Sequence, residues 1–334
     1  MKTFIRWLSW FVSVVKREIR LLRAPNLKKL IVYSGHDQSG IGKHYIYAPH
    51  PMTNWALNPG YENRSGMKLH TVEGFRKTDE ADSVIKSFAV AAGKQKIYCF
   101  GGSTTYCTGL YELNSPWPSR LAISNDCVVA NAGVGGWNTL QSLTRLISWA
   151  PLLKPNLIIV YQSKNDLTPL YNGEPSEEWA FPDYANLMGQ FSSAVFKRGV
   201  FDSRRCWQAN GGLTSVYGNK VTFPEKGLAR CNRDYEAAIE MRYEGICNVG
   251  NILGAKVVFV PEIIQGGPYY AYMRKLHVIM KLVVAKHPHS FFVDLNGALP
   301  FNEKYFLDKM HFTELGCCLF SEVLSKSLKE KGLL

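Results

Sequence analysis

From residue 96 to the C-terminus the hydrophobic pattern switches repeatedly between two periods. Five short apolar runs read as strands: Lys96–Phe100, Cys127–Asn131, Leu157–Tyr161, Ala255–Val260 and Phe291–Asp294. They are rich in Val, Ile, Tyr and Phe and are bounded by Gly, Asn, Asp and Pro, the residues that stop strands. Between them, apolar positions recur at helical spacing near 116–124, from Thr139 to Trp149, at about 269–286 and from Thr313 to Lys329. Strands that stay apolar without alternation are buried on both faces, and strands that alternate with helices pair in parallel. The pattern therefore predicts an α/β chain wound around a central parallel sheet.

Two stretches break this rhythm. Residues 167–250 carry Pro, Gly, Trp and charge without clear strand periodicity, which predicts an insertion over one edge of the sheet. Upstream, residues 31–95 include Tyr45–Met52 and Asn54–Tyr61, both rich in Pro and aromatic residues, and are expected to be extended segments packed on the core. Residues 1–30 form a separate unit. Phe4, Leu8, Phe11, Val15, Ile19 and Leu22 share one helical face, with Arg6, Arg17 and Arg20 opposite, and Pro25 ends the helix. The uncharged stretch Trp7–Val15 is too short to span a bilayer, and no small-residue cleavage site follows it. A basic amphipathic helix with Trp and Phe fits a membrane interface. It fits equally a helix packed on its own domain or on a partner subunit.

Charge changes this picture only locally. The net charge is +12, and residues 1–30 hold eight Lys/Arg against the single acid Glu18, which is +7 of it. The remainder is mildly basic, so a nucleic-acid partner is not expected. None of the eight cysteines falls in a CxxC pair or near histidine at zinc-ligand spacing, which fits a reducing compartment. The expectation is a cytoplasmic protein, with peripheral contact to the inner face of the membrane through residues 1–23. No metal or other cofactor is implied by any spacing. His36, His44, His50, His70, His277, His287 and His289 show no ligand pattern.

Chemistry concentrates where the predicted strands end. Lys96–Phe100 runs into Gly101-Gly102-Ser103; the next strand ends in Asn131-Ala132-Gly133 and the third in Ser163-Lys164-Asn165-Asp166, while Asp308-Lys309-Met310-His311 precedes the last helix. Ester chemistry at a serine needs a hydroxyl, a base, a group that orients the base, and donors for the oxyanion. Ser103 offers the hydroxyl and its own N–H, His311 the base and Asp308 the orienting carboxylate. Gly133 offers a backbone N–H with no side chain in the way, and Asn165 an amide. Each has a bland rival: Ser103 a helix cap, His311 a surface residue, Asp308 and Asn165 turn formers, Gly133 a tight turn. Asp166 reads as structural, Asp294 as a strand end. Tyr106, Trp117 and Trp137 read as either pocket or core.

These four blocks, in this order over residues 96–330, resemble the SGNH (GDSL-like) hydrolases, in the branch whose first block reads Gly-Gly-Ser-Thr-Thr. His70–Arg76 also resembles a segment that precedes the first block in bacterial members. The resemblance implies a flavodoxin-like three-layer α/β/α sandwich and metal-free ester hydrolysis, with catalytic Ser103, Asp308 and His311 and an oxyanion hole of Ser103, Gly133 and Asn165. Gly102 stands where many members have Asp, and Ser163 where they have glycine. An O-acetyl ester on a carbohydrate or surface glycan is the first expected substrate. An acyl lipid, a thioester, or acyl transfer to a sugar hydroxyl are alternatives on the same residues, and a non-catalytic glycan- or membrane-binding module is the rival from another class. A Gly-x-Ser-x-Gly elbow is missing, which separates the chain from the α/β-hydrolase fold.

Overall fold

The computed structural model describes residues 46–50, 52–63, 65–167, 225–263 and 270–334. The amphipathic helix expected at 1–23, and residues 168–224 of the expected insertion, lie outside the described residues. The described residues fall into two units, one holding those up to residue 58 and the other those from residue 59 onward. In the first, β1 (Tyr47–His50) and β2 (Asn54–Leu57) form an antiparallel hairpin where irregular chain was expected. Thr53 closes it by donating to the Trp55 carbonyl at 2.9 Å.

The second unit holds the parallel sheet. In chain order it contains α1 (Val84–Val90), β3 (Lys96–Gly101), α2 (Ser103–Tyr106), α3 (Trp117–Asn125), β4 (Val128–Asn131), α4 (Thr139–Leu153) and β5 (Leu157–Tyr161). Then come α5 (Glu225–Leu253), β6 (Lys256–Val260), α6 (Tyr270–Lys286), β7 (Ser290–Phe292) and α7 (Glu314–Glu330). The strand order is β4-β3-β5-β6-β7, and every neighbouring pair is parallel. Counted within this sheet, that is the flavodoxin-like order 2-1-3-4-5. The connections reverse direction between β3 and β5, and the crevice at the carboxyl ends of those two strands is where such sheets place a ligand.

Strand alternation builds the two outer layers. Tyr98, Phe100, Ile158 and Val160 face a core shared with α1, α4, α5 and α6, and Ile97, Cys99, Ile159 and Tyr161 face a second core shared with α3 and α7. Burial of both faces explains why the strand runs read as continuously apolar. Trp117 anchors the second core, edge-on to Tyr161 and Phe320.

Three elements differ from the sequence expectation. The helix α1 lies within the segment expected to be extended. It is short, and Ser83 starts it by accepting from the Lys86 N–H at 3.3 Å. The helix α4 opens with a capping box between Asn138 and Gln141 and continues past Trp149 to Leu153, through Pro151. The proline removes one bond to the Ile147 carbonyl, and Ile147 is exposed, so water can replace it. Residues 225–253, in the stretch expected as insertion, form α5, whose Ile239, Tyr243, Ile246 and Cys247 are core residues. Six cysteines among the described residues are free thiols, with Cys107 and Cys317 3.7 Å apart at sulfur. Among the described residues no helix is long and apolar enough to cross a membrane.

Candidate active site

The turn after β3 owes its shape to its two glycines. A Cβ on Gly101 would sit 2.1 Å from the Tyr161 carbonyl oxygen and 2.3 Å from Thr105 Oγ1. Only glycine lets the end of β3 press this closely on the end of β5. A Cβ on Gly102 would lie 2.5 Å from Asn165 Nδ2. The Tyr106 N–H donates to the Gly102 carbonyl at 3.0 Å and the Trp117 indole N–H to the Thr104 carbonyl at 3.2 Å. Ser103 therefore opens α2 on a tightly held turn, half-buried at the switch point of the sheet.

His311 arrives from the far end of the chain, in the loop before α7. A two-residue bridge between Phe306 and Phe312 closes that loop, and the Thr313 N–H donates to the Tyr305 carbonyl at 3.0 Å. Asp308 Oδ1 accepts the backbone N–H groups of Met310 and His311 at 2.8 Å each, and its Oδ2 lies 2.7 Å from His311 Nδ1. A carboxylate only accepts, so Nδ1 donates, and in the neutral ring Nε2 then carries the lone pair. Nε2 is 2.8 Å from Ser103 Oγ, the geometry in which the hydroxyl donates to it. Partial burial pushes the Asp308 pKa up, but the three hydrogen bonds from His311 and Met310 outweigh it and hold the carboxyl below its usual range.

The loop after β5 brings Asn165 to the same edge. Its Nδ2 donates to the Trp137 carbonyl at 2.9 Å, which uses one of its two hydrogens. Gly133 behaves differently from the sequence expectation. Its N–H donates to Asn131 Oδ1 at 3.0 Å, and it is buried, with an added Cβ only 2.3 Å from the Tyr106 backbone nitrogen. The glycine is required for close packing of the β4 turn on α2, and its N–H already has a partner. The next turn of the same loop is closed by the Trp137 N–H on the Val134 carbonyl, with Gly136 at φ 81° and half-buried.

One residue that no motif pointed to is Glu262, just beyond β6 and 2% exposed. Its Oε2 accepts the Ser163 N–H at 2.7 Å and the Lys164 N–H at 2.6 Å, and its Oε1 accepts the Thr104 hydroxyl at 2.5 Å. Ser163 Oγ adds a contact at 3.3 Å. A lone acid after a strand has no spacing signature, so nothing in the sequence marks it. Among the aromatic candidates, Trp117, Trp137 and Tyr106 are buried core residues, and His70 Nε2 lies 3.0 Å from the Tyr106 hydroxyl. Asp294 accepts from the Asn296 N–H in the turn after β7.

Asp166 is fully buried behind Asn165. It accepts the Thr139 N–H at 2.8 Å, and Arg242 Nη1 stands 3.6 Å away, a charge contact longer than a hydrogen bond. Burial dominates and pushes its pKa up to about 6 from the ordinary 3.8, against the pull of Arg242 and Thr139. Between those two values the folded state binds more protons than the unfolded one, so this group's contribution is fully present below 3.8 and is lost as the pH rises through about 6. Urea unfolding of wild type and Asp166→Asn from pH 7 to pH 4 checks this. The wild type should gain on the variant as the pH falls, by up to about 3 kcal/mol. A difference that does not change with pH refutes it.

No protein-family model matches the chain, and no curated protein matches its sequence. Solved structures are similar to it at low identity. LAE5, described as an alpha/beta hydrolase enzyme from the metagenome of Lake Arreo, Spain, shares 14% identity over 74% of this chain and 99% of its own, with a TM-score of 0.45. TesA shares 17% over 72% and 100%, with a TM-score of 0.44. A variant of Axe2, an acetyl xylan esterase from Geobacillus stearothermophilus, shares 13% over 70% and 94%, with a TM-score of 0.43. Similarity at this level says nothing about what the present chain acts on.

Proposed function

We propose that the chain is a serine ester hydrolase of the SGNH type, with Ser103 as nucleophile, His311 as general base and Asp308 as the group that orients it. The observation that carries this reading is the unbroken hydrogen-bond path from Asp308 Oδ2 through both ring nitrogens of His311 to Ser103 Oγ. A capping serine, a surface histidine and a turn acid would have no reason to align in this way across 208 residues of sequence.

In the proposed reaction the Ser103 proton passes to His311 Nε2 as Oγ attacks the acyl carbonyl. Asp308 stays ionised and stabilises the imidazolium that forms. His311 then gives the proton to the departing alcohol oxygen, leaving an acyl-enzyme. Water attacks that ester with His311 again as base, and the carboxylic acid leaves as Ser103 recovers its proton. The oxyanion would be held by the Ser103 N–H at the start of α2 and by the second hydrogen of Asn165 Nδ2. Because the Gly133 N–H is bonded to Asn131, the third donor assigned here is the N–H of Gly136 in the adjoining turn. Each such donor typically contributes roughly 3–4 kcal/mol of transition-state stabilisation.

The substrate class proposed first is an O-acetyl ester on a carbohydrate, on the strength of the Gly101-Gly102-Ser103-Thr104-Thr105 block. A longer acyl lipid is the second reading, motivated by the amphipathic pattern of residues 1–23, which would also give peripheral membrane contact. Labelling with a fluorophosphonate probe, followed by mapping of the modified peptide, tests the core of the proposal. The label should fall on Ser103 alone. Labelling elsewhere, or none in folded protein, overturns the assignment. Turnover of acetylated sugars against acyl lipids then separates the two substrate readings.

A further inference from the structure

We propose that Glu262 is a positioning residue for this ester chemistry, one that ties the turn bearing Ser103 to the loop bearing Asn165. The inference rests on the esterase reading and deepens it. The nucleophile and the amide donor come from different strands, so the distance between them depends on whatever joins the two turns. Backbone pairing does not reach that far, because the last paired residues of β3 and β5 are Gly101 and Tyr161. The Thr105 hydroxyl donates to the Tyr161 carbonyl at 2.9 Å, and beyond that point Glu262 extends the connection to the loop of Asn165. One carboxylate oxygen takes the hydroxyl of Thr104, the residue after the nucleophile, and the other takes two consecutive N–H groups, of Ser163 and Lys164, just before Asn165.

The arrangement is built for the purpose in three respects. Every contact is a donor aimed at the carboxylate, so none has to be given up to make another. The whole group is buried, where charge-assisted bonds are strong and a missing partner is costly. The carboxylate also follows directly after a third strand, β6, which pairs with β5, so it braces the two turns from outside both. Ser163 fits the same design. Its side chain takes the space beside Glu262, 3.3 Å from Oε2, which accounts for a serine where the resembling family has glycine.

The role is tested by steady-state kinetics with p-nitrophenyl acetate on wild type, Glu262→Ala, Glu262→Gln, Thr104→Val and Glu262→Ala/Thr104→Val, with rates divided by the folded fraction from circular dichroism. Glu262→Ala should lower kcat about 100-fold with KM changed less than about threefold, because misplacement by an ångström costs rate without removing a substrate contact. Glutamine keeps an acceptor for the two N–H groups and a donor for Thr104 Oγ1, and should recover to within about tenfold of wild type. Thr104→Val alone should lower kcat about tenfold and have no further effect in the Glu262→Ala background, since both remove the same tie. If Glu262→Ala does not fold, Thr104→Val decides: lowered kcat at unchanged KM supports the role, and wild-type kcat overturns it. Folded Glu262→Ala with wild-type kcat, or losses that multiply in the double variant, also overturns it. Wild type that neither labels at Ser103 nor turns over the ester overturns the esterase reading and this inference together. Active wild type with an equally active Glu262→Ala overturns the positioning role alone.

Discussion

Ser103→Ala is expected to leave a folded protein with ester turnover reduced at least about 1,000-fold, because on the proposed reading it removes the nucleophile and its covalent path and leaves only the oxyanion donors and binding. The substitution is mild for the fold. Ser103 is half-buried, its hydroxyl has His311 as partner, and a methyl group fits in its place. Thermal unfolding should therefore shift by no more than a few degrees, the size of an ordinary cap or surface change. The measurement is kcat/KM with p-nitrophenyl acetate beside a melting curve. Equal rates in the two proteins would mean that any esterase activity arises elsewhere. Lost activity with a collapsed melting curve would mean that Ser103 is structural.

Gly101→Ala should do the opposite and fail through the fold. The added methyl carbon would stand 2.1 Å from the backbone oxygen of Tyr161, and that oxygen cannot swing aside because Tyr161 is paired with β3 on one side and β6 on the other. Overpacking against movable side chains typically costs 1–3 kcal/mol. Here the central strands of the sheet must separate, so more than about 4 kcal/mol is expected, a loss that consumes much of a domain's net stability. Urea unfolding, or yield of soluble protein if none accumulates, reads it. A variant within about 1 kcal/mol of wild type would show that the turn can relax, and would refute the account of Gly101.

What the sequence made legible follows from where physics leaves a local mark. Leu157–Tyr161 announced itself because a strand buried on both faces must be apolar at every position. The turns carrying Ser103, Asn165, Asp308 and His311 were legible because reactive residue types cluster at predicted strand ends. The meeting of His311 with Ser103 was then a matter of topology. The role of Gly133 was harder to read, because spacing cannot tell a glycine needed for an exposed N–H from one needed for contact, and here the Asn131 side chain takes that N–H. Pro151 hid the last turn of α4, because a proline stops a helix in sequence logic while a carbonyl at an exposed position tolerates one missing bond. Glu262 was invisible for a deeper reason. Its partners lie 158 and 99 residues away, and only the sheet order puts them in reach.

That same separation makes the site a late event in the life of the chain. The bond between Ser103 and His311 joins positions 208 residues apart, on either side of β4, β5, β6 and β7. Parallel pairing depends on distant contacts and forms slowly. A growing or refolding chain can thus acquire most of its helix signal while lacking a reactive serine, and regained ester turnover should lag behind recovery of secondary structure. On the esterase reading, a chain that has paired β3 with β5 but not yet docked the loop before α7 holds Ser103 without its base.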